Sequence, residues 1–375
     1  MIVDLVYGTR PNIIKAAALH AQWRETREQW PFELRLIDTG QHWDDTLSAD
    51  QCRALGLPTP AFNLQAGHRQ SHNGNIAGSP HTSQRSPFIS TVAQAYGALL
   101  TTIPPTATIA IGDVNGSVGV ARAAHQHHVP LFHLEAGLRG GIDAKAEEAN
   151  RYELDQICDY LWAPDDVAAA NLGSENIPKN RITVTGNIMI DALLRFAPLV
   201  PPDDITQRPN RSSVLVTLHR AENIDDPVRF KSIVRSITEI AQTRRVIWPL
   251  HPRTKPVLTQ LGLPATTGLT LLPPLPYPAF TARLNAASIV VTDSGGILEE
   301  CAYLGKPAVI VRPHTERPHA VAHCGFEQCE PTDMVKHLDQ ALRCPPTPFR
   351  PQGWDGKAAM RMLQDLTARL QNLPA

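Results

Sequence analysis

The sequence has no apolar run near the ~20 residues of a membrane-spanning helix, which argues against a helical membrane protein. Neither charge is in excess: 35 Lys and Arg stand against 36 Asp and Glu, so no basic field invites nucleic acid. The six cysteines (52, 158, 301, 324, 329 and 344) include no Cys-x-x-Cys pair and read as free thiols. Residues 1–7 lack the basic start and cleavage site of a signal peptide, so they read as a first strand in a cytoplasmic protein. No Gly-x-Gly-x-x-Gly fingerprint and no metal-ligand spacing occurs, so neither a redox nucleotide nor a metal is expected. What remains is an ordinary globular chain. Its 375 residues suggest two domains at ~150 residues each, and a 42% hydrophobic fraction is ample for two cores.

Short apolar runs alternate with helical patterns almost throughout, the mark of parallel sheets flanked by helices. Strands are expected at 2–7, 34–37, 108–111, 130–134, 161–163 and 182–185, and again at 214–217, 246–250, 269–272 and 288–291. The polar segment 63–87, with three histidines, reads as a mobile loop. The Pro- and Asp-rich stretch 199–213 reads as a linker. These divide the chain into domains 1–198 and 199–353, with a last helix from 354 to 375 packing back on the first.

Polar groups gather where strands end, the edge at which ligands bind in such sheets. Arg10 follows the first strand, and Pro11 suits the first turn of the helix behind it, where Lys15 lies one turn on. Asp113 and Glu135 end two further strands, and Glu147 and Glu148 open the next helix, where carboxylates also complement the helix dipole. In the second half His219 and His251 follow strands directly. Thr292-Asp293-Ser294-Gly295-Gly296 then turns a buried strand into a helix bearing Glu299 and Glu300. Ser294, Gly295 and Gly296 leave amide hydrogens unobstructed by Cβ atoms, an arrangement suited to a phosphate. A carboxylate one turn into that helix could accept from ribose hydroxyls, and Tyr277 and Phe280 could stack on a base.

These stretches resemble the non-hydrolysing UDP-N-acetylglucosamine 2-epimerases over nearly the whole chain. The resemblance rests on Gly8-Thr9-Arg10-Pro11 with Lys15, Gly40-Gln41-His42, Gly112-Asp113, Glu135-Ala136-Gly137-Leu138-Arg139 and Glu147-Glu148-Ala149-Asn150-Arg151. It continues in Thr185-Gly186-Asn187 with Asp191-Ala192-Leu193, His219-Arg220, the stretch 292–296 with Glu299-Glu300, Leu304-Gly305-Lys306-Pro307 and Thr315-Glu316-Arg317-Pro318. It implies the GT-B fold, with two Rossmann-like α/β domains, parallel sheets and an interdomain cleft, and a homodimer.

The reaction implied is elimination of UDP with loss of the C2 proton, then re-addition of UDP after reprotonation on the opposite face. Asp113, Glu135 and Glu147 would be the carboxylates of the reaction, with the identity of the C2 base left open. His219 would hold or protonate the leaving phosphate, and Lys15 would support the charge network. Arg10 and the Ser294–Gly296 amides would hold the diphosphate, Glu300 the ribose and Phe280 the uracil. Asn12, Ala146, Leu298 and His319 depart from the family pattern of Glu, Pro, Gln and Glu, and leave room for an altered substrate. Release of N-acetylmannosamine, a modified UDP-hexosamine, or glycosyl transfer are the alternative activities.

Overall fold

The computed structural model describes residues 1–41, 45–67, 87–140, 145–198, 213–262, 266–312 and 326–372. His42, most of the 63–87 segment, the 199–212 stretch, the Thr315–Pro318 motif and His319 lie outside the described residues. The chain divides into two compact units, Met1–Arg195 with Gln352–Ala375, and Phe196–Pro351.

In the first unit strands β1 (Ile2–Tyr7), β2 (Glu33–Asp38), β3 (Phe62–Asn63), β4 (Ala107–Ile111), β5 (Leu131–Leu134), β6 (Tyr160–Ala163) and β7 (Ile182–Val184) form one parallel sheet. Its order is β3-β2-β1-β4-β5-β6-β7. Helices α1 (Arg10–Glu25), α2 (Asp45–Ala54), α3 (Pro87–Thr102), α4 (Asn115–Gln126), α5 (Lys145–Ile157), α6 (Asp166–Ser174) and α7 (Ile188–Phe196) connect the strands. β4 is buried at all five positions and β5 at all four, because helices cover both faces. That is why these strands read as unbroken apolar runs.

The second unit repeats the plan. Strands β8 (Ser213–Thr217), β9 (Arg245–Pro249), β10 (Leu269–Leu272), β11 (Ile289–Thr292), β12 (Ala308–Ile310) and β13 (Glu327–Gln328) pair in parallel in the order β10-β9-β8-β11-β12-β13. Its helices are α8 (Ala221–Ile224), α9 (Pro227–Thr243), α10 (Thr254–Leu261), α11 (Tyr277–Ala286), α12 (Gly295–Leu304) and α13 (Met334–Arg343). Trp248, Phe230, Ile233 and Val291 sit in its core.

The last helix, α14 (Ala358–Gln371), belongs to the first unit. Asp191 of α7 accepts the amides of Ala358 and Ala359 at 3.2 and 2.8 Å, so it caps a helix far away in sequence. Asp365 accepts from the Trp162 indole at 2.9 Å and the Thr183 hydroxyl at 3.0 Å. Gly186, at φ +96°, permits the crossing beneath it: a Cβ there would lie 2.4 Å from the Gly353 carbonyl oxygen.

Both sheets reverse direction once. In the first the reversal falls between β1 and β4; in the second it falls between β8 and β11. At such a switch point the loops leave neighbouring strand ends in opposite directions and open a crevice. The site residues follow these four strands and β5, apart from Phe280, which follows β10.

Candidate functional site

At the first switch point α1 begins directly after β1. Thr9 precedes the helix, and its amide and hydroxyl both donate to Asn12 Oδ1, at 3.3 and 2.9 Å. The Asn12 amide nitrogen donates onward to the Ile111 carbonyl, 3.1 Å away at the end of β4. Asn12 therefore ties the two switch strands together, and an amide does this because it both accepts and donates. Arg10 starts the helix and is half-buried.

One turn on, the Lys15 ammonium pairs with Glu135 Oε2 from the end of β5, and both side chains are about nine-tenths buried. Glu135 holds φ +73°, which a non-glycine residue rarely adopts. Asp113 follows Gly112, itself at φ +64°, and pairs with the Arg151 guanidinium at 2.6 Å. Desolvation pushes the Asp113 carboxyl up, but the charges of Arg151 and Lys15 outweigh it and hold the group below the usual aspartate value. Asp113, Glu135 and Lys15 thus act on one another electrostatically. Glu147 lies half-buried in the first turn of α5, beside Glu148.

Glu148 is more than a dipole complement. Its Oε2 accepts from Arg151 at 2.9 Å and from the Gly140 amide at 2.9 Å, so it steers the guanidinium toward Asp113. Asn150 donates to the Asp113 carbonyl at 2.9 Å and to Asn115 at 3.0 Å.

At the second switch point Asp293 follows β11 directly and is fully buried. It accepts the amides of His219 at 3.1 Å and Arg220 at 2.9 Å, and the Asn223 side chain at 3.0 Å. The His219 Nδ1 lies 3.2 Å from Asp293 Oδ1, and the imidazole is one-third exposed. Burial raises the Asp293 carboxyl, but His219 and the donated hydrogen bonds prevail and lower it. An Nδ1 hydrogen facing an ionised Asp293 leaves Nε2 as the free face of the ring.

Ser294 precedes α12, and its amide donates to Thr292 Oγ1 at 2.9 Å. Gly295 and Gly296 open that helix, and a Cβ on Gly296 would meet nothing within 4 Å. Glu300 lies further along, 2% exposed, with Oε1 accepting the Tyr277 hydroxyl at 2.6 Å. Burial and the Glu300 charge push Tyr277 well above the ordinary tyrosine value. Tyr277 and Phe280 are both buried, at 3% and 8% exposed.

The structure brings together Lys15, Asp113 and Glu135 in one unit, and His219 with the Ser294–Gly296 turn in the other. Sequence reasoning placed Asp293 in the turn without its role. A carboxylate continuing an apolar, buried strand was the available signal, since such a group is buried only with partners. Among the described residues no group of three His, Cys, Asp or Glu side chains could hold a metal, and no helix is long and apolar enough to cross a membrane.

Comparison with known proteins converges on one group. The model of the UDP-N-acetylglucosamine 2-epimerase family matches residues 24–367. A UDP-2,3-diacetamido-2,3-dideoxy-D-glucuronate 2-epimerase of Pseudomonas aeruginosa is 34% identical, covering 87% of each chain. A UDP-N-acetylglucosamine 2-epimerase of Methanocaldococcus jannaschii is 32% identical, covering 86% of each. The crystal structure of the M. jannaschii UDP-GlcNAc 2-epimerase with UDP-GlcNAc and UDP superposes with a TM-score of 0.82 at 28% identity, over 98% of this chain and all of that one. With the family model matching well over half of the chain and both relatives above 30% identity, the chain belongs to the UDP-N-acetylglucosamine 2-epimerase family.

Proposed function

We propose that this protein interconverts UDP-N-acetylglucosamine and UDP-N-acetylmannosamine by eliminating and re-adding UDP. The observation that carries the reading is the cluster of Lys15, Glu135, Asp113 and Arg151 at the strand ends of the first unit. The C2 hydrogen of a 2-acetamido sugar is weakly acidic, so its removal needs a placed carboxylate. Asp113, Glu135 and Glu147 supply the proton transfers.

In the second unit the leaving diphosphate is held by the amides of Gly295 and Gly296 and by His219, whose Nε2 points away from Asp293. Glu300 takes the ribose and Phe280 packs on the uracil. The working form is a cytoplasmic homodimer, and the reaction needs neither metal nor redox cofactor.

A second reading keeps the inversion at C2 and changes the sugar. The relative at 34% identity is named for a diacetamido glucuronate, so a modified UDP-hexosamine is the competing substrate. One experiment separates these: incubation with each UDP-sugar in deuterium oxide, followed by NMR of the products. UDP-N-acetylmannosamine carrying deuterium at C2 supports the first reading. Turnover of the diacetamido sugar alone supports the second. Free N-acetylmannosamine with UDP indicates a hydrolysing enzyme, and no turnover of either sugar sinks both readings.

A further inference from the structure

Beneath the two turns that carry Asp113 and Glu135 lies a buried pair that the reading above does not use. His133 of β5 and Asp155 of α5 are 1% and 0% exposed, and His133 Nδ1 lies 2.7 Å from Asp155 Oδ1. The other ring nitrogen, Nε2, faces the Gly112 carbonyl oxygen at 3.3 Å. Asp155 Oδ2 accepts the Gly137 amide at 3.2 Å and the Arg139 guanidinium at 2.9 Å.

Gly112 is the residue before Asp113, and Gly137 is two residues after Glu135. One chain of contacts therefore runs from the Asp113 turn through His133 and Asp155 to the Glu135 turn. We propose that His133 and Asp155 form an imidazolium–carboxylate clamp, a pair of positioning residues that holds the Asp113 and Glu135 carboxylates in register.

The charge assignment follows from hydrogen-bond capacity. A carbonyl oxygen has no hydrogen to give, so Nε2 holds it only as a donor. Asp155, with a guanidinium and an amide already donating to it, is the ionised form, so Nδ1 must donate as well. Both ring nitrogens then carry hydrogen. Carboxylates outnumber cations around the pair, since Arg139 also binds Glu175 at 2.5 and 2.7 Å and lies 4.0 Å from Glu148. Asp159 is committed elsewhere, accepting the Leu131 amide at 2.9 Å.

The clamp acts where the backbone needs constraint. Glu135 at φ +73° occupies a region that persists only when its surroundings over-determine it. The turn is pinned on three sides: Ala136 donates to the Trp162 carbonyl at 3.1 Å, Asn171 donates to the Gly137 carbonyl at 3.0 Å, and Gly137 donates to Asp155. A Cβ on Gly137 would lie 2.3 Å from the Ala168 carbonyl oxygen, so the turn has no room to relax. Gly112, on the other strand, is secured by its own amide to the Leu134 carbonyl at 3.0 Å and by the His133 ring to its oxygen.

The proposal rests on the reading that Asp113 and Glu135 act on the sugar, and its test separates the two. Ring 15N NMR of the full-length wild type, with His133 assigned by comparison with His133→Gln, should show both nitrogens protonated at neutral pH. Asp155→Asn should return the ring to a single hydrogen, which a purely space-filling histidine would not do. In kinetics, His133→Gln and Asp155→Asn should lower kcat about 10²-fold, as expected of a misplacement near 1 Å, while UDP affinity stays at the wild-type value. A wild-type His133 with one bare nitrogen, or a folded His133→Gln with full kcat, overturns the clamp. If a variant does not fold, the wild-type ring spectrum decides. A wild type without turnover on UDP-GlcNAc sinks the proposed reaction and leaves the ring spectrum to decide the clamp.

Discussion

The two switch points of this protein use carboxylates in opposite ways. In the first unit Asp113 and Glu135 face cations, Arg151 and Lys15, and Asp113 is 29% exposed. In the second, Asp293 is fully buried and takes the His219 and Arg220 amides, while Glu300 takes a phenol hydrogen from Tyr277. A carboxylate held by a side-chain cation can exchange a proton with a substrate during a reaction. A carboxylate locked by backbone amides shapes a loop and keeps its charge. Under the proposed function, one duplicated topology holds a proton-handling edge and a ligand-holding edge, and the partners decide which is which.

The sharpest way to break the comparison is to change the carboxylates of the first unit into amides. Asp113→Asn, Glu135→Gln and Glu147→Gln keep shape and remove the base, so turnover should fall ~10²–10⁴-fold. UDP binding, measured by calorimetry, should stay at the wild-type level. Variants that lose UDP affinity and keep turnover would reverse the roles assigned to the two edges.

Asp293→Ala tests the opposite edge. It strips the acceptor from His219, two amides and Asn223, so urea denaturation should show a loss of ~3–5 kcal/mol, from several donors left unsatisfied at ~1–3 kcal/mol each. UDP should bind more weakly, because the loop carrying His219 loses its anchor. A variant as stable as wild type would mean that water replaces the carboxylate, and Asp293 would not be the organiser described.

The alternation of strands and helices was legible because buried parallel strands are continuous apolar runs, as in β4 and β5. The short strands β3, β12 and β13 were not: Phe62–Asn63 and Glu327–Gln328 have two residues each and no apolar signature, and Ala308–Ile310, though apolar and buried, is only three residues long. Site residues just after strands were legible by position alone. Their pairing was not, since Lys15 and Glu135 lie 120 residues apart and meet only through strand order. Likewise the turn signal of Ser294-Gly295-Gly296 masked Asp293, whose partners come from the loop after β8.

Acid should separate the units. His20 on α1 is 6% exposed beside Trp23, and burial, with a smaller contribution from Arg24, lowers it from 6.5 to about 4. Between those values the unfolded chain binds the proton and the folded chain does not, so stability falls as pH drops through this window. The full shift is worth ~3 kcal/mol at ~1.4 kcal/mol per unit. Asp113 and Asp293, held below 3.8, give up their contributions only below that value. Asp191, raised by burial, works in the opposite sense, and a His20→Leu variant cancels it because both proteins share it. Hydrogen exchange should therefore show α1 loosening between pH 6.5 and 4 in wild type but not in His20→Leu, with β11 unaffected. Equal loosening of β11 would count against a unit-specific origin.

The smallest expected effect bears on the second edge directly. Glu300→Ala removes a carboxylate that is committed to Tyr277 and assigned to the ribose. If both hold, UDP affinity drops by ~1.5–3 kcal/mol, the worth of a hydrogen bond to a charged group. Tyr277→Phe isolates the internal half of that loss: it removes the 2.6 Å bond, costing ~1.5–3 kcal/mol of stability, the worth of a hydrogen bond to a charged group. The two variants should then differ in kind, Glu300→Ala chiefly in UDP dissociation and Tyr277→Phe chiefly in melting temperature. Turnover at saturating substrate should change little in either, since neither residue belongs to the proton-handling edge. If Glu300→Ala binds UDP as wild type does and only melts earlier, Glu300 is a core carboxylate like Asp293, and the ribose must be held by another group.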